Sequence, residues 1–368
     1  MLEFMRIQHF KSLNDAQFSL SSLNLFSGLN GMGKSSLIQT LLLLRQSKER
    51  NVLFEKGLLL KGDYVSLGTG SDILSEHAEK ETVEFTLKWS ECEKPTRFVF
   101  GYSALSDLQP IQEGPCESER AEALSLFNKN FQYLGADRIS PKSTYEASEF
   151  YINDLNSIGN HGEYTAHYIA EYGLNPLYIS ALKHANAASM NLLENIEKWM
   201  SEISPGIRIH SQPQLAANSV TLSYAFEQGD DVTADFKPQN VGFGLTFVLP
   251  VLTAILKSKK GDLLIIENPE AHLHPGGQTI LGRLCSIAAD NGVQLFVETH
   301  SDHFLNGIRI AVKEKNISSD KVKLFYLERN EKKPEVTVIS PDMDSEGRIS
   351  RWPQGFFDEG DRQLEKLL

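Results

Sequence analysis

The sequence predicts an α/β fold: a mostly parallel sheet covered by helices, a flanking antiparallel sheet and an inserted, mainly helical lobe. Three observations predict it. After residue 219, short apolar runs alternate with stretches of helical length, as in successive strand–helix units. The first 104 residues hold strands around one very apolar helix, and residues 105–215 between them lose the alternation.

The opening strands are Phe4–Phe10, Ala16–Leu20 and Leu23–Phe26, apolar segments parted by polar turns. A helix then runs from Ser35 to about Gln46. Leu37, Ile38, Leu41, Leu42 and Leu44 make it apolar on every side, so it is predicted to be buried. Residues 82–90 and 97–103 alternate like half-exposed antiparallel strands. In the middle, Leu192, Ile196, Trp199 and Ile203 share one face of a helix over 188–204, a face for packing rather than a groove. The later elements are strand 219–226, helix 243–257, strand 263–267, helix 276–290, strand 293–298, helix 301–314 and strand 322–328. Residues 1–104 and 216–368 are therefore expected to build one head from both chain ends, with 105–215 inserted.

Composition narrows the function. The chain has 368 residues, 41% hydrophobic, enough for a large core, and no apolar run long enough to cross a membrane. The opening Met-Leu-Glu-Phe-Met-Arg lacks the form of a signal peptide, so a cytoplasmic location and no membrane partner are expected. Cys92, Cys116 and Cys285 are scattered, which indicates neither a disulfide framework nor a thiolate metal site. Thirty-six Lys plus Arg stand against 48 Asp plus Glu, a net charge of −12. That balance does not indicate DNA as a broadly coated partner, although a small basic patch stays open.

The strongest motif is Gly28-Leu29-Asn30-Gly31-Met32-Gly33-Lys34-Ser35, followed by Ser36, placed between a predicted strand and a predicted helix. It fits the phosphate-binding loop: glycines let backbone N–H groups turn towards a phosphate, and the helix start adds partial positive charge. Lys34 would bridge the terminal phosphates and Ser35 would hold magnesium. A carboxylate on a neighbouring strand should complete the metal shell, and Leu263-Leu264-Ile265-Ile266-Glu267 ends in one. Asn268-Pro269-Glu270-Ala271-His272-Leu273-His274-Pro275 follows directly, and a later apolar strand ends in Glu298-Thr299-His300-Ser301-Asp302.

Together these blocks resemble ABC-type ATPases, in the branch of the SMC and repair ATPases and of the OLD-like ATPases common in bacterial anti-phage systems. Tyr133-Leu134-Gly135-Ala136-Asp137-Arg138 and Trp352-Pro353-Gln354-Gly355-Phe356-Phe357-Asp358 resemble signatures of a subfamily often encoded beside effector genes. The resemblance implies ATP and Mg2+ as cofactors and a homodimer with ATP sandwiched between subunits. The partner's glycine-rich loop, here Gly242, Gly244 and Thr246, would meet the terminal phosphate. His300 would be the switch histidine. A regulatory ATPase controlling a nearby-encoded nuclease or toxin in anti-phage defence is implied; its alternatives are a nucleotide-gated scaffold with little turnover and a DNA repair accessory ATPase.

Two departures stand out. Such enzymes carry Asp-Glu after the apolar strand, whereas this chain has Glu267-Asn268, and an amide cannot accept a proton as a base. Asn268 could only position water, leaving Glu270 or His300 to assist. No glutamine lies between Gln46 and Gln109 either; Asp63, Ser66 and Asp72 are candidates to replace the usual one. His272, His274, His300 and His303 with Asp302 could also be read as a metal-dependent hydrolytic cluster. Long heptad runs are absent, which excludes a coiled-coil arm.

Overall fold

A computed structural model describes residues 1–29, 31–114, 123–229, 231–329, 336–350, 352–353, 355–357 and 359–367. The backbone divides into two units: residues 1–128, 322–343 and 349–368 in the first, 129–321 and 344–348 in the second.

The first unit begins with β1 (Leu2–Phe10), β2 (Leu13–Ser19) and β3 (Leu23–Gly28), then α1 (Lys34–Glu49) and β4 (Gly57–Leu59). β5 (Thr82–Trp89), β6 (Thr96–Gly101) and β7 (Leu108–Glu113) follow. β2-β1-β5-β6-β7-β4 form a six-stranded sheet in that order, antiparallel throughout. Its buried face carries Phe10, Phe85 and Phe100 in edge-on contact, because period-two alternation brings these rings to one side. Every residue of β3 is buried. α1 buries Leu37, Ile38 and Leu41–Leu44, as an all-apolar helix must.

The second unit starts with β8 (Phe131–Leu134), β9 (Thr144–Glu146), α2 (Thr165–Tyr172), α3 (Leu192–Ser201), β10 (Ile207–Gln214), β11 (Ser219–Gln228) and β12 (Asp231–Val232). α4 (Phe243–Leu256), β13 (Leu263–Glu267), α5 (Pro275–Asp290), β14 (Gln294–Glu298) and α6 (Asp302–Lys313) complete it. β8, β13 and β14 pair in parallel with β13 central. Every residue of the three is buried except Glu267 at the end of β13, as the two-sided cover of a parallel sheet requires. α5 and α6 approach backbone to backbone: a Cβ on Gly282 would lie 2.2 Å from the Phe304 carbonyl oxygen, and one on Gly307 2.2 Å from that of Thr279.

The chain then returns to the first unit with β15 (Val322–Arg329), β16 (Val336–Ile339) and α7 (Glu359–Leu367). β15 runs parallel to β3 and antiparallel to β16. Phe26 and Phe325 stack at 5.1 Å, with Phe18 edge-on to Phe325 at 5.4 Å. In the tryptophan–proline block, Phe356 is fully buried between Tyr326 and Trp352. Gln354 and Asp358 of that block lie outside the described residues.

The expectation for 105–215 differs from what is seen. The stretch is not mainly helical: β8 joins the parallel strands of the second unit, and β10 pairs with β11 across the expected boundary at 215. The reason lies in contacts distant along the chain. β8 is only four residues long and contains Gln132, whose amide donates to Tyr133 O and Gly159 O while its oxygen accepts from the Ile158 N–H. A satisfied amide inside a short buried strand erases the apolar signal that marks β13. Among the described residues no helix is long and apolar enough to cross a membrane. Cys92 and Cys285 are unpaired, and Cys116 lies outside the described residues.

Candidate functional site

The phosphate loop joins β3 to α1 in the first unit. Gly28 (φ 145°), Gly31 (φ 80°) and Gly33 (φ 89°) hold backbone angles that L side chains rarely adopt. Space forbids a side chain as well: a Cβ on Gly28 would sit 2.3 Å from Leu327 O, and one on Gly33 2.7 Å from Ser12 Oγ. Among the described residues nothing beyond its chain neighbours stands within 4 Å of a Cβ on Gly31. Asn30 lies outside the described residues.

Gly33 caps α1 without a side-chain hydrogen bond, and no acid occupies the first turn. The N–H groups at the start of this 16-residue helix are thus not claimed by a carboxylate of its own. Lys34 is 4% exposed and its ammonium donates to Gly28 O at 2.8 Å and Leu29 O at 3.0 Å. The cation is drawn back over the loop onto carbonyls that a phosphate oxygen would replace. Ser35 is exposed and Ser36 buried. Glycine backbone, a helix start and a lysine in this order fit a nucleotide phosphate.

Two of the three candidates to replace the missing glutamine, Asp63 and Asp72, have other partners. Asp63 accepts from Arg50 at 2.8 Å, and Asp72 accepts from the Thr69 N–H at 2.7 Å, capping a short helical turn.

In the second unit, Glu267 ends β13 beside Glu298, its register partner on β14. Tyr133 donates its hydroxyl to Glu267 Oε1 at 3.0 Å. Burial pushes the Glu267 carboxyl above its ordinary range, opposed by the Tyr133 hydroxyl, the Ala136 N–H and the Arg138 charge. The same burial and carboxylate drive Tyr133 far upward, so it remains a donor. Arg138, 3% exposed, donates to Glu267 O at 2.5 Å and to Asn268 O at 2.9 Å. Burial lowers it to about 10, still protonated at neutral pH.

Asn268 adopts φ 44°, the left-handed region where Asn is tolerated better than most residues. Its N–H donates to Glu298 O at 2.8 Å, while its buried Oδ1 has no hydrogen-bond partner among the described residues. Glu270 Oε1 accepts from the His300 N–H at 2.9 Å, and the buried Glu270 Oε2 is unpartnered among the described residues. Four expected residues, Glu267, Asn268, Glu270 and His300, are therefore gathered at the ends of β13 and β14. Tyr133 and Arg138 bind the same turn, a role that the sequence alone does not indicate. Tyr133 is the third residue of β8 and Arg138 follows four residues after its end, so no local pattern points to either role. Gly135 leaves the room the phenol needs, since a Cβ there would lie 3.0 Å from the Tyr133 oxygen.

The glycine-rich stretch at the start of α4 meets the same loop. A Cβ on Gly244 would lie 2.6 Å from His272 O, and the Phe247 ring packs edge-on against the His272 ring at 4.6 Å. Gly242 caps the helix in open space, and Phe243 beside it is 58% exposed. Thr246 departs from expectation: it faces inward, 4% exposed with a buried hydroxyl, because it follows Leu245 on the packed side of α4. Its hydroxyl is not offered at the surface. His274 is the N-cap of α5, accepting from the Gly276 N–H at 3.3 Å. Among the described residues no group of three or more His, Cys, Asp or Glu side chains could hold a metal, which removes the support for a histidine cluster.

Comparison with known proteins supplies the family. No curated protein matches. Among solved structures the chain is similar to an SMC head bound to the C-winged helix domain of ScpA, with 14% identity over 93% of this chain and 98% of that one and a TM-score of 0.57. It is also similar to an SMC head with an extended coiled coil bound to the C-terminal domain of ScpA, from Pyrococcus furiosus, with 14% identity over 100% and 99% and a TM-score of 0.52. The fold is that of SMC head domains, ABC-type ATPase heads of mixed α/β build. Residues 317–367 match a protein family of unknown function, DUF3696. Residues 119–306, holding Tyr133, Arg138, Glu267 and His300, match a second and longer profile, and by it the chain belongs to the family described as AAA domain, putative AbiEii toxin, Type IV TA system.

Proposed function

We propose that the protein binds ATP with magnesium, pairs with a second copy of itself and hydrolyses the nucleotide slowly, acting as the regulatory ATPase of an anti-phage defence complex. The observation that carries ATP binding is the phosphate loop: three left-handed glycines, a helix start without an acidic cap, and Lys34 parked on two loop carbonyls. On this reading Gly28, Asn30, Gly31, Gly33 and Ser36 cradle the phosphates, and Lys34 exchanges its carbonyls for phosphate oxygens. Ser35 and Glu267 would hold the magnesium, an all-oxygen donor set of the kind this ion prefers. Bound there, magnesium supplies positive charge against the phosphate oxygens.

Arg138 fixes the carbonyls of Glu267 and Asn268, so the turn carrying the water-handling residues is held from beneath. Asn268 orients water through its unpartnered Oδ1, and Glu270 or His300 takes the proton. Gly242 and Gly244 of one copy face the nucleotide of the other, and the exposed Phe243 supplies apolar surface to that interface. ATP-driven closure changes how an effector, a nuclease or toxin encoded nearby, is held. The toxin–antitoxin wording of the family description supports a role in such conflict systems. Asn268 favours one second reading, a scaffold gated by ATP with little turnover, since no carboxylate stands directly after Glu267.

Calorimetric titration of the wild type and Lys34→Ala with Mg·ATP tests the core: binding should vanish in the variant, and equal affinity removes the assignment. Phosphate release by the wild type and Glu267→Gln separates enzyme from scaffold. Light scattering tests pairing, which Gly242→Asp should block. Co-purification from the native operon with mass determination identifies the effector.

A further inference from the structure

A cavity of about 220 Å³ lies wholly within the second unit, away from the β13 and β14 ends. Lys129, Lys257 and Lys259 line it together with Tyr168, Tyr172 and Asn156. None of the three lysines has a carboxylate within ion-pair distance among the described residues. Lys257 is 6% exposed. Its ammonium donates to Asn156 O at 2.6 Å and reaches Asn156 Oδ1 at 3.5 Å, and it lies 5.1 Å from the centroid of the Tyr168 ring. Asn156 presents both oxygens from a left-handed turn at φ 49°.

A buried ammonium held only by neutral oxygens and a ring is costly. Part of its charge is answered by the carbonyl end of α4, which Lys257 caps, and part by the field of Asp262. The remainder is not, and burial drops Lys257 to about 8. Lys259 adds repulsion rather than relief. In a chain of net charge −12, three lysines line one concavity that, among the described residues, no carboxylate lines, with Asp262 acting on Lys257 and Glu149 and Glu171 acting on Tyr172 from outside it.

We propose that this cavity binds a small phosphate ester, its phosphate against Lys257, Lys259 and Lys129 and its organic body against the Tyr168 and Tyr172 rings. A dianion answers the lysine charges better than a monocarboxylate. The two rings, 4.8 Å apart, offer an apolar wall for a planar group. The volume is below the roughly 300–1,000 Å³ of clefts that take drug-sized ligands, so the ester is a small one. The site is independent of the phosphate loop.

The test uses the full chain carrying Lys34→Ala, so that loop binding does not report. Phenyl phosphate, inorganic phosphate and benzoate are titrated by calorimetry at pH 8 in two buffers of different ionisation enthalpy. Phenyl phosphate should bind saturably and more tightly than the other two. Binding should take up protons, because the anion restores the charge on Lys257. Lys257→Met should weaken it by about tenfold or more, and Lys129→Gln with Lys259→Gln, at exposed or half-exposed positions, should weaken it without unfolding the protein. Absence of saturable binding overturns the proposal. So does an equal response to phenyl phosphate and benzoate, affinity unchanged in both variants, or binding with no proton uptake.

Discussion

Replacing Tyr133 by Phe removes one hydroxyl and leaves the packed ring in place. The hydroxyl donates to Glu267 Oε1 at 3.0 Å and is among the contacts that hold the carboxyl down against burial. A hydrogen bond to a charged group contributes about 1.5 kcal/mol or somewhat more, and about 1.4 kcal/mol corresponds to a tenfold change in ionisation. Loss of the hydroxyl therefore moves the Glu267 titration to higher pH by roughly one pH unit. The sign follows from linkage. Glu267 already titrates above its unfolded value, so its stabilising contribution is present at low pH and is lost as pH rises through the folded value. In the variant that loss extends to higher pH. The acid limb of phosphate release should move up by roughly one pH unit while Mg·ATP affinity stays within about twofold. Thermal unfolding should show the variant about 1–2 kcal/mol less stable at pH 8, with the difference shrinking towards pH 4. An unmoved acid limb, or a turnover loss of the same size at every pH, refutes the coupling of Tyr133 to Glu267.

Gly307→Ala places a methyl 2.2 Å from Thr279 O between α5 and α6, and should cost about 1–3 kcal/mol in denaturant unfolding; wild-type stability would mean that these helices do not pack so closely. Lys257 titrates at about 8 in the folded chain against 10.5 for a free lysine, so wild-type unfolding free energy should rise between those values by up to about 3 kcal/mol. Lys257→Met should abolish that rise, as read by urea titration at pH 7, 8.5 and 10. Asn268→Glu forces a longer side chain into backbone at φ 44° and should cost about 1 kcal/mol of stability, with turnover held or raised. Complete loss of turnover at unchanged ATP affinity would contradict the water-positioning role.

Legibility in the sequence tracked how local each cause was. β13 and β14 announce themselves because burial on both faces demands unbroken apolar runs, Leu263–Ile266 and Leu295–Val297. The phosphate loop was readable since Gly28, Gly31 and Gly33 each occupy backbone angles that only glycine takes easily. β8 was not, because Gln132 is paid for by three hydrogen bonds that no periodicity reveals. Arg138 escaped for the same reason: its partners are carbonyls 129 and 130 residues away, a relation only the tertiary pairing of β8 with β13 creates. Thr246 was misjudged because motif order says which residue stands at a position and not which way a helix face turns.

At position 268 residue type and backbone geometry act together. By residue type alone, Asn after Glu267 is a lost base. In the fold it is also the residue of a turn whose N–H is tied to Glu298 O, whose carbonyl is tied to Arg138, and whose φ of 44° suits Asn far better than Glu. A carboxylate there would have to stabilise a strained backbone as well as accept a proton, and it would stand beside Glu267 and Glu298 on a turn already rich in acid. Backbone demand and electrostatic crowding thus both select an amide at 268. If the proton is taken within this turn, Glu270 has the geometry for it, with one oxygen engaged by the His300 N–H and the other buried without a partner.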